Sequence, residues 1–340
     1  MKFIRFLLFP FSIIYGIVTT IRNYFFDVGI FTSTSFKKPV IVVGNLSVGG
    51  TGKSPQIEYL IQLLKSEYKI GVLSRGYGRI TKGFILVDTT KTAKEVGDEP
   101  LQFSKKFADV SVAVDENRVH GIEQLRNTDL VLLDDAFQHR KVKAGFYVLL
   151  TKYNDLFSND FVLPTGNLRE RRIGARRADV IVVTKCPTTI DFEEKDELKQ
   201  LIGRYFNGPI LFSSIQYSKV LLSENKKEIK TAELHNYQVL LVTGIANPTH
   251  LINYLSDLNC DYKHVNFPDH HQFTDKEIIA LKEQFDTFEA AKKIVLTTEK
   301  DFVRLSGKLD SLYYLAIEPN FGKDQQEFND LIRNYVKISL

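Results

Sequence analysis

Lys53 and Ser54 close the stretch GNLSVGGTGKSP, Gly44 to Pro55, and together they could do chemistry on a phosphate. Lys53 supplies an ammonium and Ser54 a hydroxyl able to ligate Mg2+. Gly49, Gly50 and Gly52 keep the backbone between them permissive, so that successive N–H groups can close around an anion. The segment follows the phosphate-loop pattern G-x-x-x-x-G-K-[ST], except that Ser47 occupies the first glycine position. The apolar run PVIVVGN precedes it and a helical pattern from Pro55 to Lys65 follows, which is the strand–loop–helix setting such a loop requires. A phosphate loop also needs a carboxylate for its metal, usually at the tip of a neighbouring strand. VLLDDAFQH places Asp134 and Asp135 at such a tip. These segments predict an ATP site with Mg2+ as its metal.

Transfer of the phosphoryl group to an acceptor requires a base and cations around the transferred group. GDEP offers Asp98 and Glu99 at a helix start, where they serve either as chemistry or as helix caps. PDHHQF offers Asp269, His270 and His271 at a strand end, which read as groups for the chemistry, as a surface turn, or as half a metal site with no third ligand nearby. LPTGNLRERRIGARRAD packs Arg169, Arg171, Arg172, Arg176 and Arg177 around Glu170, between a Pro/Gly-rich loop and a strand. A charge run is often a solvated face, but this setting favours an anion site. SRGYGR adds Arg75 and Arg79 in a second basic loop at the same sheet edge, where open α/β sheets bind ligands.

The elements that must position these residues follow from the hydrophobic pattern. PVIVVGN, KIGVLS, VSVAVD, DLVLLDD, GFYVLL and ADVIVVTK are short continuous apolar runs separated by helical patterns. That alternation predicts an α/β fold with a mostly parallel, P-loop NTPase-like sheet and flanking helices. A second series begins at QVLLVTG and includes YKHVNFP, KKIVLTTEKD and SLYYLAIEP. Between the two series, SKVLLSENKKEIKTAEL reads as a hairpin. The expected organisation is an N-terminal amphipathic helix in residues 1–30, a nucleotide-binding domain in 31–215, a two-stranded hinge in 216–235 and a smaller α/β domain in 236–340.

With 340 residues, 44% hydrophobic and 25% charged, the chain is an ordinary globular one. Its net charge of +4 is compatible with an anionic substrate or membrane surface and far too small to imply nucleic acid. Cys186 and Cys260 stand singly, which argues against a disulfide framework or a zinc site. The N-terminal run from Phe6 to Ile21 is uncharged, shorter than the ~20 residues a bilayer span needs, and interrupted by Pro10. On a helical projection Arg5, Ser12, Gly16, Asn23 and Asp27 fall into one narrow sector, with aromatic and aliphatic residues around most of the remainder. This pattern predicts a helix lying in a membrane interface; packing on the protein's own core and a single membrane span are the other readings.

In order along the chain, GNLSVGGTGKSP, LSRGYGR, VGDEP, DENR, LLDDAFQH, LPTGNLRE, FPDHHQF and TTEKD resemble the tetraacyldisaccharide 4'-kinases of lipid A biosynthesis. Ser54 stands where that family often has Thr, and Ala136 where it often has Gly. The resemblance implies a peripheral enzyme at the cytoplasmic face of the bacterial inner membrane. It would phosphorylate, with ATP, the 4'-hydroxyl of an acylated glucosamine disaccharide 1-phosphate, without an obligate protein partner. It further implies that Asp98 and His270 form the base pair, aided by Lys53, and that Thr51, Glu99 and Glu170 join Asp134 and Asp135 around Mg-nucleotide. The substrate's polar head falls to Asn45, Arg75, Arg79, Arg169 and Arg171. The alternative is a membrane-attached switch ATPase with a deviant phosphate loop, which would carry a signature lysine where Val48 stands.

Overall fold

The computed structural model of the chain describes residues 5–225, 227–269 and 271–340. Strand β1 (Val40–Asn45) is buried at every position, as its unbroken apolar run requires. It lies between β5 (Leu130–Asp134) and β6 (Phe146–Lys152), parallel to both. Strands β2 (Ile70–Ser74) and β4 (Ser111–Val114) extend the sheet on the β5 side, with the short β3 (Ile85–Leu86) antiparallel at that edge. On the other side follow β7 (Val180–Cys186) and β8 (Ile210–Ser223), again parallel.

The predicted second series forms β10 (Gln238–Thr243), β11 (Asp261–Asn266), β12 (Lys293–Thr298) and β13 (Leu312–Asn320), a parallel set of its own. It is continuous with the first. The long strand β8 pairs with β7 through Ile210 to Ser214 and antiparallel with β13 through Ser214 to Ser223, making one sheet of thirteen strands among the described residues. The predicted hairpin is present, with β9 (Glu228–Lys230) paired to β8, and the β8–β13 register slips between Leu315 and Ile317. Strand β8 also changes cores along its length. Phe212 belongs to the core of the first set and Leu221 to that of the second.

Because β13 opposes β8, the carboxyl ends of the two parallel sets point toward each other. Residues that follow β11 and β12 are thereby aimed at the edge where the phosphate loop leaves β1.

The helices fill in the geometry. Helix α1 (Phe9–Asp27) is followed by α2 (Lys53–Leu64), which buries Ile57, Leu60, Ile61 and Leu64, a stripe at helical spacing. Helices α3 (Ala93–Val96), α4 (Asp98–Lys106) and α5 (Arg118–Gln124) lie between β3 and β5 in the chain, and α6 (Phe192–Gly203) follows β7. In the second set come α7 (Thr249–Asp257), α8 (Asp275–Asp286) and α9 (Glu299–Leu305). The last helix, α10 (Gln325–Ser339), crosses back to the first set. Its Phe328, Ile332 and Val336 join the core that contains Val148 and Leu150, and the Tyr335 hydroxyl donates to the Val40 carbonyl at 3.2 Å.

Helix α1 is amphipathic in an inverted sense. Its polar face turns toward the protein, where Ser12 and Gly16 are buried. The Ser12 hydroxyl donates to Thr165 Oγ1 at 2.7 Å and accepts from the Thr165 N–H at 2.9 Å. Phe11, Ile14, Val18 and Tyr24 project outward, each about 60% exposed. Among the described residues, no helix is long and apolar enough to cross a membrane.

Candidate active site

The loop after β1 is held open from both sides. Val48 N–H donates to the Asn167 carbonyl at 2.8 Å and Arg169 N–H to the Leu46 carbonyl at 2.7 Å, so the LPTGNLRE segment runs as a short bridge along the phosphate loop. On the other side the Thr184 hydroxyl donates to the Thr51 carbonyl at 2.8 Å. Gly52, at φ 89°, takes the N-cap position of α2 and provides no side-chain cap. The first N–H groups of α2 are thus left for an anion, with the helix dipole in their favour. Asn45, buried at the end of β1, braces the interior. Its Nδ2 donates to the Gly49 carbonyl at 3.4 Å and its Oδ1 accepts from Lys53 Nζ at 3.5 Å.

The two aspartates at the end of β5 lie beside this loop. Lys53 Nζ is 3.6 Å from Asp135 Oδ1. Asp134 is buried; its Oδ2 accepts from the Ser74 hydroxyl at 3.2 Å, while its Oδ1 has no hydrogen-bond partner among the described residues. Burial, reinforced by the nearby Glu99 and Asp135 charges, pushes the Asp134 carboxyl up to about 7. Thr51 Oγ1 is likewise buried without a partner. The orphaned oxygens of Asp134 and Thr51 and the hydroxyl of the half-buried Ser54 are hard donors of the kind Mg2+ takes, so the residue types present fit the metal that such a loop implies.

GDEP reaches the same edge through a glycine contact. Gly97 (φ 91°) lies against Gly76 of SRGYGR, and a Cβ on Gly76 would come within 2.7 Å of the Val96 carbonyl. Side chains at these two positions would force the loops apart. The contact sets Asp98 in the first turn of α4, where it is buried and bonded by Arg304 of α9: Arg304 Nε donates to Asp98 Oδ1 at 2.8 Å and Nη2 to Asp98 Oδ2. His270 lies outside the described residues. Its neighbour His271 stacks on Phe267, with ring centroids 4.7 Å apart, and its Nε2 pairs with Glu277 at 3.0 Å.

Three of the expected site residues are engaged by neighbouring side chains. Glu170 is buried, with Oε1 and Oε2 accepting from Arg177 at 2.7 and 2.9 Å, from Asn23 Nδ2 at 2.6 Å and from Gln138 Nε2 at 3.1 Å. It clamps α1 to the phosphate-loop brace. The Arg169 guanidinium forks onto Asp135 at 2.9 and 3.2 Å. Arg79 donates to the Gly83 carbonyl and to Glu116 and so closes its own loop. Arg75 and Arg171 are exposed, and Arg171 lies alongside Gly16 of α1.

Sequence reasoning gave no role to Arg118, Gln138 or Arg304. Arg118, from DENR, is buried against the Asp134 carbonyl, and that burial draws its guanidinium down to about 10. Gln138, from DDAFQH, ties the Asn45 carbonyl to Glu170. The quoted segments held the signal, since each of the first two residues sits inside one and Arg304 follows TTEKD.

An uncapped glycine-rich loop ahead of a helix, a lysine and paired acids beside it, and a parallel sheet around it define a P-loop NTPase-like nucleotide site. Residues 4–337 match the family described as tetraacyldisaccharide-1-P 4'-kinase. Curated relatives named tetraacyldisaccharide 4'-kinase share 51% identity in Flavobacterium psychrophilum and 48% in Flavobacterium johnsoniae, each over 100% of this chain and 99% of the relative. A crystal structure of LpxK from Aquifex aeolicus in complex with ATP is similar at a TM-score of 0.80 and 30% identity, over 98% of this chain and 99% of that one. The chain belongs to the tetraacyldisaccharide 4'-kinase family and is a phosphotransferase. The switch-ATPase alternative is not favoured, in keeping with Val48 at the signature-lysine position.

Proposed function

We propose that the protein transfers the γ-phosphoryl group of ATP to the 4'-hydroxyl of a tetraacylated glucosamine disaccharide 1-phosphate at the cytoplasmic face of an inner membrane. The observation that carries this reading is the tie between α1 and the phosphate loop. The Tyr15 hydroxyl donates to the Arg169 carbonyl at 2.9 Å and Asn23 donates to Glu170, so the helix with an outward apolar face is bonded to the segment that braces Val48 and Leu46. A lipid surface and a triphosphate site are thereby coupled through two or three hydrogen-bonded steps.

In this reading the loop amides and Lys53 hold and neutralise the triphosphate. Mg2+ would be held by residues from the set Ser54, Asp134, Asp135, Glu99 and Glu170, and would supply charge neutralisation for the phosphates. Asp135, between Lys53 and Arg169, orients the lysine. Asp98 accepts the proton of the sugar hydroxyl, and His270 is proposed to work with it. Arg75 and Arg171 receive the 1-phosphate head, and Arg169 and Arg79 serve the frame around it. Residues 1–30, 31–215, 216–235 and 236–340 are proposed as helix, nucleotide domain, hinge and second domain. The hinge would let the cleft open for a lipid and close to exclude water.

Incubation with γ-labelled ATP and the disaccharide 1-phosphate tests this directly. Label should appear in a bis-phosphorylated lipid with wild-type protein and be lost with Lys53→Ala. ATP turnover that is indifferent to the lipid would overturn the reading.

A further inference from the structure

Asp98 and the PDHHQF segment come from opposite parts of the sheet, and one side chain bonds to both. Arg304 stands at the end of α9, buried, and it is 206 residues from Asp98 in sequence. Its Nε and Nη2 fork onto the two Asp98 oxygens, while Nη1 donates to the His271 carbonyl at 3.2 Å. The arginine is itself fixed from behind. Asp301 lies 3.6 Å from Nη1, accepts from the Gly244 N–H at 2.8 Å and accepts from the Thr298 hydroxyl at 2.8 Å. The ends of β10 and β12, the loop after β11 and the first turn of α4 thus meet at one guanidinium.

A bidentate guanidinium–carboxylate contact fixes the plane of the carboxylate, whereas an ammonium would fix one point of it. Orientation matters for a base, because proton transfer needs hydrogen-bond alignment and a displacement of about 1 Å costs about 100-fold in rate. The backbone of α4 sets where Asp98 is. The fork sets which way its oxygens face.

We propose that Arg304 is a positioning residue for phosphoryl transfer: it sets the plane of the Asp98 carboxylate and holds the His271 backbone beside it, so that the base is competent only when the two parts of the sheet are joined through this fork. The proposal rests on the reading of Asp98 as the proton acceptor.

The test compares Arg304→Lys, Asp98→Asn and the double variant with wild type, reading kcat, KM for ATP and the melting temperature of the full chain. Arg304→Lys keeps the charge and loses the fork. The expected result is a fall in kcat of about 10- to 100-fold, with KM for ATP within about twofold and cooperative melting retained. In the Asp98→Asn background the same change should cost no further turnover. Arg304→Gln provides the same comparison if the lysine variant does not fold. A kcat within about twofold of wild type in Arg304→Lys, beside an inactive Asp98→Asn, would overturn the positioning role. So would an equal loss in both backgrounds, which would mean that Arg304 acts independently of Asp98. An Asp98→Asn variant with wild-type turnover would instead remove the base reading, and the proposal with it.

Discussion

Asp134 and Asp135 are consecutive in the chain and experience opposite fields. Asp134 points into the protein, buried with one orphaned oxygen, and its carboxyl is pushed up to about 7. Asp135, in left-handed backbone at φ 47°, points toward the cations. Burial would push it up too, but Lys53 and then Arg169 outweigh that and hold it below the usual carboxylate range. The left-handed turn at Asp135 is what separates them: Asp134 bonds inward to Ser74, and Asp135 lies between Lys53 and Arg169.

This contrast predicts a pH dependence. Asp134 has an ordinary value of 3.8, raised in the fold to about 7. As pH climbs through that window the unfolded chain releases the proton first, so the metal-free protein loses stability, and the loss is complete above about pH 7. Urea midpoints from pH 5 to 8 should show this downward component in wild type and lack it in Asp134→Asn. Mg2+ competes with the same proton, so its affinity should improve up to about pH 7 and then level. Identical slopes for the two proteins would contradict the assignment.

Glu170→Gln separates a clamp from a metal ligand. It leaves the half-buried Arg177 facing an amide in place of a carboxylate, a smaller loss than the ~3–5 kcal/mol of breaking a fully buried pair. The melting temperature should fall, with Mg2+-dependent nucleotide affinity little altered once the protein is folded. Glu170→Gln combined with Arg177→Met should recover part of the loss. Weakened Mg2+ affinity at unchanged stability would assign Glu170 to the metal.

The two faces of α1 should separate in the same way. Phe11, Ile14 and Val18 are exposed, so changing all three to Ser should leave the melting temperature unchanged. Vesicle binding should weaken by about tenfold or more, since each large apolar side chain contributes about 1.5–3 kcal/mol when buried. Ser12→Leu, on the inner face, strands Thr165 and should lower the melting temperature instead. Sedimentation with anionic vesicles and thermal melts read both. Unchanged vesicle binding in the triple variant would mean that α1 is not the membrane contact.

The parts legible in the sequence are those encoded locally. The glycine loop, the acid pair and the polar stripe of α1 each lie within one short stretch. What the sequence could not reveal depends on distant partners. Arg75 and Arg171 are exposed while Arg79, Arg169 and Arg177 are consumed by Glu116, Asp135 and Glu170, and nothing in a run of arginines distinguishes the two groups. Glu170 reads as a possible ligand, and its bonds to Asn23 and Gln138, distant in the chain, could not be foreseen. Apolar runs reveal strands and not their order, so the antiparallel join of β8 to β13, which makes the two strand series continuous, was invisible.

The most direct test of the account is Asp98→Asn, assayed for ATP binding by calorimetry and for lipid phosphorylation in the same preparation. If a carboxylate beside the phosphate loop takes the sugar proton, ATP affinity stays within about threefold of wild type while turnover falls by at least about 100-fold. Near-normal turnover, or loss of ATP binding together with activity, would contradict it.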